Sequence, residues 1–201
     1  MIFSTFGLFK QRLLLTKFLD KISTDKTAVF WGKKHPKRRK LAHILRLPLL
    51  NLEDGFLRSV GLGVSGYPPY SIVYDDIGIY YDTTRPSRLE QLILAAETMP
   101  SETLAQARQA MNFILQHHLS KYNHAPELSD DHPLRSPSKP ETVLIIDQTF
   151  GDMAIQYGDA DASTFELMFQ TALNENPQAD IWVKTHPDVL CGKKQGYLTQ
   201  L

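Results

Sequence analysis

The stretches "TVLIID" (142–147), "STFELMFQTALNEN" (163–176) and "IWVKTH" (181–186) decide the fold class of this chain. The first and third are short, β-branched and apolar, which is typical of buried strands, and the second has the apolar spacing of a helix. Ser163 and Glu166 have the spacing of a capping box at the start of that helix. This order predicts a βαβ unit in a parallel sheet that is buried on both faces.

Polar residues stand at the ends of both predicted strands and directly after them. They are Asp147, Gln148 and Asp152 at the first strand, and Lys184, His186 and Pro187 at the second. Ligands of an open parallel sheet bind beyond the carboxyl ends of its strands. We expect His186 to donate a hydrogen bond to a phosphate, and Pro187 to start a helix whose first N–H groups face the same anion. Lys184, Lys193 and Lys194 could add positive charge at the same place. In the alternative, His186 bonds a loop carbonyl and these three lysines are solvated.

The N-terminal half also alternates between helical and strand-like segments. An amphipathic helix is predicted over residues 8–22, followed by a strand in "AVFW", the basic run "KKHPKRRK" (33–40) leading into a helix, and a strand in "LPLLNLE". "YSIVYDDIGIYYD" predicts two short strands around a turn, and helices follow from Ser87, with Glu90 completing a capping box, and over Ser101–Leu119.

Residues 125–140 contain four prolines and few residues able to form a core, which is typical of a linker or surface loop. The sequence therefore predicts an N-terminal α/β lobe over 1–124, a linker over 125–140 and the start of a second α/β lobe over 141–201.

A second polar cluster, "NLEDGFLRS" (51–59), follows a predicted strand. Glu53 at the strand end is a candidate proton carrier, especially if Phe56 and Leu57 partly desolvate it. Arg58 and Ser59 are candidate substrate-binding residues. In the alternative, the segment is an Asp-Gly turn with a surface Glu–Arg pair, and spacing leaves both open.

The composition excludes several classes of protein. The 22 acidic residues balance the 22 basic ones, so net charge predicts no attraction to nucleic acid or to a membrane, and the basic octamer lacks a DNA-binding motif beside it. The single cysteine excludes an intramolecular disulfide framework and fits a reducing cytoplasm. Lysine and arginine interrupt the N-terminal apolar runs, which are too short to span a membrane. The pair Asp75 and Asp76 suggests a turn or a cap rather than a metal site.

Four blocks, at residues 46–90, 119–123, 143–158 and 175–198, resemble the capsular polysaccharide β-Kdo transferases of the KpsC type, called LipA in some bacteria. The resemblance implies a GT-B-like α/β fold, with a Rossmann-type N-terminal lobe and the beginning of a second, nucleotide-binding lobe. It also implies a retaining glycosyltransferase that moves Kdo from CMP-Kdo onto the poly-Kdo linker of a phospholipid anchor by double displacement.

The resemblance implies roles for individual residues. Asp152 matches the nucleophile, and Glu53 matches the acid/base placed across the cleft. His186 and Pro187 match the His-Pro motif that contacts the CMP phosphate, and Asp147 is a plausible partner behind them. Neither a metal nor a cofactor is expected, because the donor CMP-Kdo carries one phosphate rather than a pyrophosphate.

The family continues beyond the His-Pro block, whereas this chain stops at "GYLTQL", so we expect a truncated member. The alternative function is therefore a non-catalytic capsule biosynthesis or export protein that keeps the fold without a complete donor site. The expected partners are CMP-Kdo, a phospholipid-linked Kdo acceptor, capsule assembly and export proteins, and an anionic membrane surface that attracts the octamer, with no nucleic acid. The expected location is the cytoplasm, at the periphery of the inner membrane.

Overall fold

The computed structural model describes residues 2–10, 12–19 and 26–199. It divides the chain into two compact units. The first comprises Met1–Val60 with Pro68–Asn123, and the second comprises Gly61–Tyr67 with His124–Leu201. The domain bounds expected from the sequence, 1–124, 125–140 and 141–201, stay a prediction, and each unit is described here by itself.

The first unit contains a four-stranded sheet. Its strands are β1 (Ile2–Phe3), β2 (Ala28–Trp31), β3 (Leu49–Asp54) and β4 (Ile72–Asp75), in the order β1-β2-β3-β4. The first three are parallel, and β4 runs antiparallel to β3. The predicted strands in "AVFW" and "LPLLNLE" are confirmed, and the carboxyl ends of β2 and β3 lie side by side because Trp31 pairs with Leu52.

The described residues of the predicted N-terminal helix are helical and form two segments, separated by residue 11, which lies outside the described residues. They are α1 (Phe6–Lys10) and α2 (Arg12–Leu19), while Ile22, which the prediction included, lies outside the described residues. Leu15 and Leu19 are fully buried against Val29, Leu50 and Leu52 of the sheet. The apolar spacing therefore identified the residues that form this core.

The basic octamer leads into α3 (Pro36–Ile44), as predicted. Two of its arginines bind the protein itself: Arg38 donates to the carbonyl of Ser4, and Arg39 donates to Gly32 and to the Asn51 side chain. Two of the octamer's positive charges are therefore engaged in hydrogen bonds within the chain.

The prediction of a second strand in "YSIVYDDIGIYYD" is wrong, because the residues after β4 form a turn and irregular structure. Asp75 ends β4, and its Oδ1 accepts hydrogen bonds from the N–H groups of Ile77 (2.8 Å) and Gly78 (2.7 Å). Its Oδ2 accepts from the N–H of Arg88 (2.9 Å), the first residue of α4 (Arg88–Leu94). These bonds turn the chain where a strand would need the same N–H groups for a neighbour. Asp75 is thus both a turn residue and a cap.

The capping box of Ser87 and Glu90 is confirmed at the start of α4. The next helix, α5 (Ser101–Gln116), ends three residues before the predicted Leu119. None of its residues is buried, and Met111, Phe113 and Leu115 are all exposed. Its apolar residues therefore do not contribute to the core of the described chain.

The second unit contains the predicted βαβ arrangement. Its elements are β5 (Glu141–Ile146), α6 (Met153–Tyr157), α7 (Ala162–Glu175), β6 (Ala179–Lys184) and α8 (Pro187–Leu190), preceded by a short 3-10 turn at Pro133–Arg135. The strands β5 and β6 are parallel along their whole length, from Glu141 opposite Ala179 to Ile146 opposite Lys184. The prediction of a parallel pair with a helical crossover is confirmed.

The capping box predicted from Ser163 and Glu166 is wrong by two residues. Asp161 is the N-cap of α7, and it exchanges hydrogen bonds with Thr164. The expectation that this sheet is buried on both faces is also wrong. Ile145 is buried against Phe165 of α7, whereas Leu144 and Ile146 on the opposite face are about half exposed, because the apolar residues of the connecting helices α6 and α7 pack on the Ile145 side.

Within residues 2–10, 12–19 and 26–199, no helix combines the length and the hydropathy needed to cross a bilayer.

Candidate functional site

Glu53 lies at the carboxyl end of β3, next to the end of β2. Its Oε1 accepts two hydrogen bonds, one from the indole Nε1 of Trp31 (3.1 Å) and one from the backbone N–H of Asp54 (3.1 Å). Sequence analysis predicted the carboxylate but missed Trp31, which is 22 residues away in the chain. Parallel pairing of the two strands brings the donor and the acceptor together.

Burial raises the pKa of Glu53 above its ordinary value, and the negative charge of Asp54 adds to this effect. The hydrogen bonds from Asp54 and Trp31, with the positive charge of Lys121, lower the pKa but do not cancel the rise. Phe56, one of the two residues expected to contribute to this desolvation, is 73% exposed. A carboxylate whose pKa is raised accepts a proton more readily than an ordinary carboxylate does.

Gly32 lies against the second carboxylate oxygen of Glu53. A Cβ atom at this position would be 3.1 Å from Oε2 of Glu53 and 2.7 Å from the hydroxyl of Tyr81. The backbone of Gly32 has φ +53°, which a glycine adopts without strain. The Tyr81 hydroxyl accepts from the N–H of Lys33 (3.1 Å) and thereby holds this loop. Neither Gly32 nor Tyr81 was predicted.

Arg58 and Ser59 are buried in the same unit. The Nε of Arg58 is 2.9 Å from Oδ2 of Asp54, and its guanidinium donates to the Ser59 hydroxyl (2.8 Å). The alternative of a surface Glu–Arg pair is wrong, because Arg58 is buried and pairs with Asp54 rather than with Glu53. Its contacts hold the turn that follows β3.

Asp147 follows β5 in the second unit, and it is only 1% exposed. Its Oδ1 accepts from the N–H groups of Gln148 (2.8 Å) and Tyr197 (3.1 Å). Its Oδ2 is buried and has no hydrogen-bond partner among the described residues. A Cβ atom on Gly196 would be 2.2 Å from Oδ2, so only glycine fits there without displacement. Asp147 thus joins the loop after β5 to the segment around Tyr197.

The segment 195–198, which sequence analysis did not single out, holds the loop after β5. Phe150 donates its N–H to the carbonyl of Gln195 (2.7 Å), and Thr149 pairs with Gly196. The ring of Tyr197 stacks on Phe165 with a centroid distance of 4.3 Å. The sequence signal for this segment is weak, because its contacts reach back about fifty residues along the chain.

Asp152 is exposed at the start of α6, where its Oδ1 accepts from the N–H of Ala154 (2.9 Å). It is therefore an N-cap residue, whose preference for aspartate has a structural explanation. Gln148, half-buried, lies four residues earlier on the same loop. The structure brings Asp147, Gln148 and Asp152 onto one loop at the carboxyl end of β5, as predicted from their spacing.

His186 and Pro187 follow β6. Pro187 is the first residue of α8, as predicted, but the next N–H does not face an anion: Asp188 donates it to Nδ1 of His186 (3.1 Å). This bond makes Nδ1 an acceptor, so a neutral imidazole carries its proton on Nε2. Lys184 ends β6 with an exposed side chain, and its carbonyl accepts from the N–H of Asp147 (3.0 Å).

Lys194 pairs with Asp188 at 3.8 Å, while Lys193 is exposed. Among the residues that the structure describes, no three His, Cys, Asp or Glu side chains are grouped so that they could hold a metal ion. The described chemistry at these strand ends is therefore that of carboxylates, an imidazole and ammonium groups.

The fold and the two strand-end clusters define a GT-B-like α/β protein. The solved structure of the β-Kdo 2,4 transferase KpsC from Thermosulfurimonas dismutans matches 100% of this chain with a TM-score of 0.88 and 40% sequence identity. The chain covers 65% of that structure. The β-Kdo 2,7 transferase of KpsC from the same organism matches 93% of the chain with a TM-score of 0.57 at 23% identity, which supports the fold alone.

The chain belongs to the capsule polysaccharide biosynthesis protein family, which matches residues 26–201. It is 87% identical over 175 residues to the capsule polysaccharide modification protein LipA of Neisseria meningitidis serogroup B. That match covers 86% of the chain and 25% of LipA, so the chain spans about a quarter of the length of this relative. The resemblance inferred from the sequence blocks is confirmed, and the relatives extend beyond the chain.

Proposed function

We propose that this chain carries the reacting residues of a retaining glycosyltransferase that moves Kdo from CMP-Kdo to a Kdo-terminated, phospholipid-linked acceptor in capsule biosynthesis. The observation that carries this proposal is Glu53, a strand-end carboxyl whose pKa is raised by burial and whose Oε1 is held by two donors. The 40% identity to a β-Kdo 2,4 transferase structure supports the choice of sugar. Neither a metal nor a cofactor is part of the proposal.

In the first step, a carboxylate oxygen of Asp152 attacks C2 of the Kdo residue. The bond from C2 to the phosphate oxygen breaks, and its electron pair leaves with CMP. Asp152 suits this role because it is exposed while its Oδ1 is fixed by the N–H of Ala154. His186, through Nε2–H, and Lys184 offset the charge that develops on the departing CMP, and Pro187 fixes the backbone beside the imidazole.

In the second step, Glu53 accepts the proton of the acceptor hydroxyl. The acceptor oxygen attacks C2, and the electron pair of the ester bond returns to Asp152, so that two inversions give net retention. A base with a raised pKa takes this proton more readily than an ordinary carboxylate does. The environment of Glu53 therefore matches the step assigned to it.

The other predicted site residues divide by exposure. Gln148 and Lys184 have side chains that reach solvent, and we assign them to substrate contact. Arg58, Ser59 and Asp147 are buried, so we assign them to holding the loops that present Glu53 and Asp152.

Helix α3 is the part of the chain that we propose contacts an anionic membrane surface. Lys37, Lys40, Leu41 and Ile44 are exposed and recur at helical spacing, which forms one stripe with cations beside apolar side chains. Such a stripe would hold the enzyme at the cytoplasmic face of the inner membrane, near a lipid-linked acceptor and the capsule assembly and export proteins. No nucleic acid is part of this proposal.

Vesicle co-sedimentation tests this surface. Charge reversal in Lys37→Glu and Lys40→Glu should each weaken binding to phosphatidylglycerol vesicles by at least about 1 kcal/mol, roughly fivefold. Lys193→Glu, an exposed control in the second unit, should have a smaller effect. Equal binding of the native chain to phosphatidylcholine vesicles would contradict the role of charge.

A transfer assay with CMP-Kdo and a synthetic Kdo-lipid acceptor tests the proposed activity. Asp152→Asn keeps an N-cap side chain but removes the nucleophile, so transfer should fall to background, while Asp159→Asn on the neighbouring turn should not change it. His186→Asn keeps an acceptor for the Asp188 N–H and should lose about 10²–10³-fold in kcat. His124→Ala serves as its exposed control.

Transfer that persists in Asp152→Asn would overturn the assigned nucleophile. A native chain that binds CMP-Kdo without turnover would contradict the enzymatic function. That result would favour the alternative, a capsule biosynthesis or export protein that keeps the fold without a complete donor site.

A further inference from the structure

The two oxygens of Glu53 have different surroundings. Oε1 accepts both the Trp31 indole N–H and the Asp54 backbone N–H, each at 3.1 Å. Oε2 lies beside Gly32, at 3.1 Å from the position that a Cβ atom would occupy there. One oxygen is therefore held by two donors, and the other faces a position where the chain has no side chain.

Trp31 is held in place by strand pairing and by packing against the core. It is the last residue of β2, it pairs in register with Leu52, and its side chain packs against the core formed by Leu15, Leu19 and Val29 with their neighbours. An indole held in this way presents its N–H in one direction at little further entropic cost. The pairing of β2 with β3 therefore places the indole N–H of Trp31 within hydrogen-bond distance of Glu53.

Gly32 is buried beside Oε2 of Glu53 and the Tyr81 hydroxyl. Its N–H donates to the carbonyl of Leu52 (2.8 Å), and the adjacent Lys33 donates its N–H to the Tyr81 hydroxyl (3.1 Å). The loop is therefore anchored on both sides of a residue that has φ +53° and no side chain. A larger residue would meet both Oε2 and the Tyr81 hydroxyl.

We propose that Trp31 is a positioning residue that, with the Asp54 N–H, fixes Oε1 of Glu53, so that Oε2 is the oxygen that takes the proton of the acceptor hydroxyl. This inference rests on the proposed function of Glu53. The proton moves from the acceptor hydroxyl to Oε2 while the acceptor oxygen forms its bond to C2 of Kdo, and the electron pair of the ester bond returns to Asp152.

The charges that face Glu53 set the direction of the expected changes. The Asp54 carboxylate raises the pKa of Glu53, whereas Lys121 and the Trp31 hydrogen bond lower it. Removal of the indole donor should therefore raise the pKa of Glu53 further, because the charged form loses a hydrogen bond.

Nuclear magnetic resonance of the full chain tests the contact without any need for turnover. The chain has two tryptophans, and Trp182→Phe assigns the indole resonance of Trp31. That resonance should titrate with pH above the ordinary range of a glutamate, and the titration should disappear in Glu53→Gln. If the Trp31 indole resonance titrates in the same way in the native chain and in Glu53→Gln, the proposal is overturned. This measurement tests the proposal even if a Trp31 variant fails to fold.

Trp31→Phe is the second variant, with Trp182→Phe as its matched control. The Trp182 indole N–H is buried without an acceptor among the described residues, so its loss removes no hydrogen bond. The carboxyl ¹³C resonance of Glu53 should titrate at higher pH in Trp31→Phe and remain unchanged in Trp182→Phe. An unchanged titration in Trp31→Phe would contradict the positioning role.

The transfer assay separates this proposal from the proposed function. In Trp31→Phe, we expect kcat to fall about 10–100-fold with little change in KM, and the acid limb of the pH profile to move upward with the Glu53 titration. A pH profile that stays in place would overturn the assignment of Oε2. Full activity in Asp152→Asn would instead overturn the proposed function, and it would leave the indole titration as it is.

Discussion

Glu53 and Asp147 are held by the same pattern of contacts in two different units. In each, one oxygen accepts the N–H of the next residue and one donor from far along the chain: Trp31 for Glu53, and Tyr197 for Asp147. In each, the other oxygen lies against a glycine. Both carboxyls also stand at or just after the carboxyl end of a parallel strand.

The two carboxyls differ in their access to solvent. Asp147 is 1% exposed, and Gly196 packs so closely that a Cβ would be 2.2 Å from its free oxygen. Glu53 is half-buried, and the corresponding distance at Gly32 is 3.1 Å. The comparison teaches that the same hydrogen-bond pattern holds a half-buried carboxyl, to which we assign the acid/base role, and a fully buried carboxyl that joins two segments of the second unit.

The largest expected effect is on the accessible carboxyl. Glu53→Gln keeps the shape and the acceptor oxygen but cannot take a proton, so kcat for transfer should fall about 10²–10⁴-fold. The exposed Glu97→Gln variant is its control. Steady-state kinetics with the Kdo-lipid acceptor measure the change. An unaltered kcat in Glu53→Gln would contradict the acid/base role assigned to Glu53.

Substitution of Asp147, the fully buried carboxyl, should act mainly by lowering the free energy of unfolding. Asp147→Ala leaves the N–H groups of Gln148 and Tyr197 without their acceptor, which should cost about 1–3 kcal/mol of unfolding free energy. Urea denaturation measures this cost, with the exposed Asp130→Ala as the matched control. If both variants unfold at the same urea concentration, Asp147 is not a clamp.

Gly196→Ala tests the close packing around Asp147. Its Cβ would overlap with Oδ2 of Asp147, and we expect a cost of about 1–3 kcal/mol from overpacking. The Glu53 carboxyl resonance should titrate as in the native chain, because the substitution lies in the other unit. Native stability in this variant would contradict the close packing around Asp147.

The smallest effect is a pH-dependent change in stability at Glu53. Its pKa in the folded chain is raised above its ordinary value of 4.5, so ionisation of the buried carboxyl destabilises the native state. The stabilisation present below the ordinary pKa is therefore lost as pH rises through the folded pKa. Glu53→Gln should gain stability relative to the native chain over this range and not below it. Urea midpoints measured across the range check the sign, and a gain at acidic pH alone would contradict it.

Local patterns predicted most of the elements. The β5–α7–β6 unit followed from apolar run lengths, and the Ser87–Glu90 box followed from spacing alone. The failures have local physical causes. Asp161, with a side chain that accepts from Thr164, replaced Ser163 as the cap of α7, and Asp75 used the N–H groups that a second strand would have needed.

The candidate site was predictable in its carboxylates but not in their donors. The strand predictions located Glu53 and Asp147 at strand ends and Asp152 in the loop that follows β5. Trp31 and Tyr197 reach their acceptors across 22 and 50 residues, and only the pairing of strands and the return of segment 195–198 bring them there. Sequence periodicity carries no information on such contacts.

The most direct test of the two-carboxylate account is a search for the covalent intermediate. Glu53→Gln chain incubated with CMP-Kdo should form the glycosyl ester but should not release it to an acceptor, because the second step lacks its base. Peptide mass spectrometry should then find one Kdo residue on Asp152 and none when Asp152→Asn is added. Turnover of CMP-Kdo by the native chain, with no adduct on Asp152 in Glu53→Gln, would contradict the account.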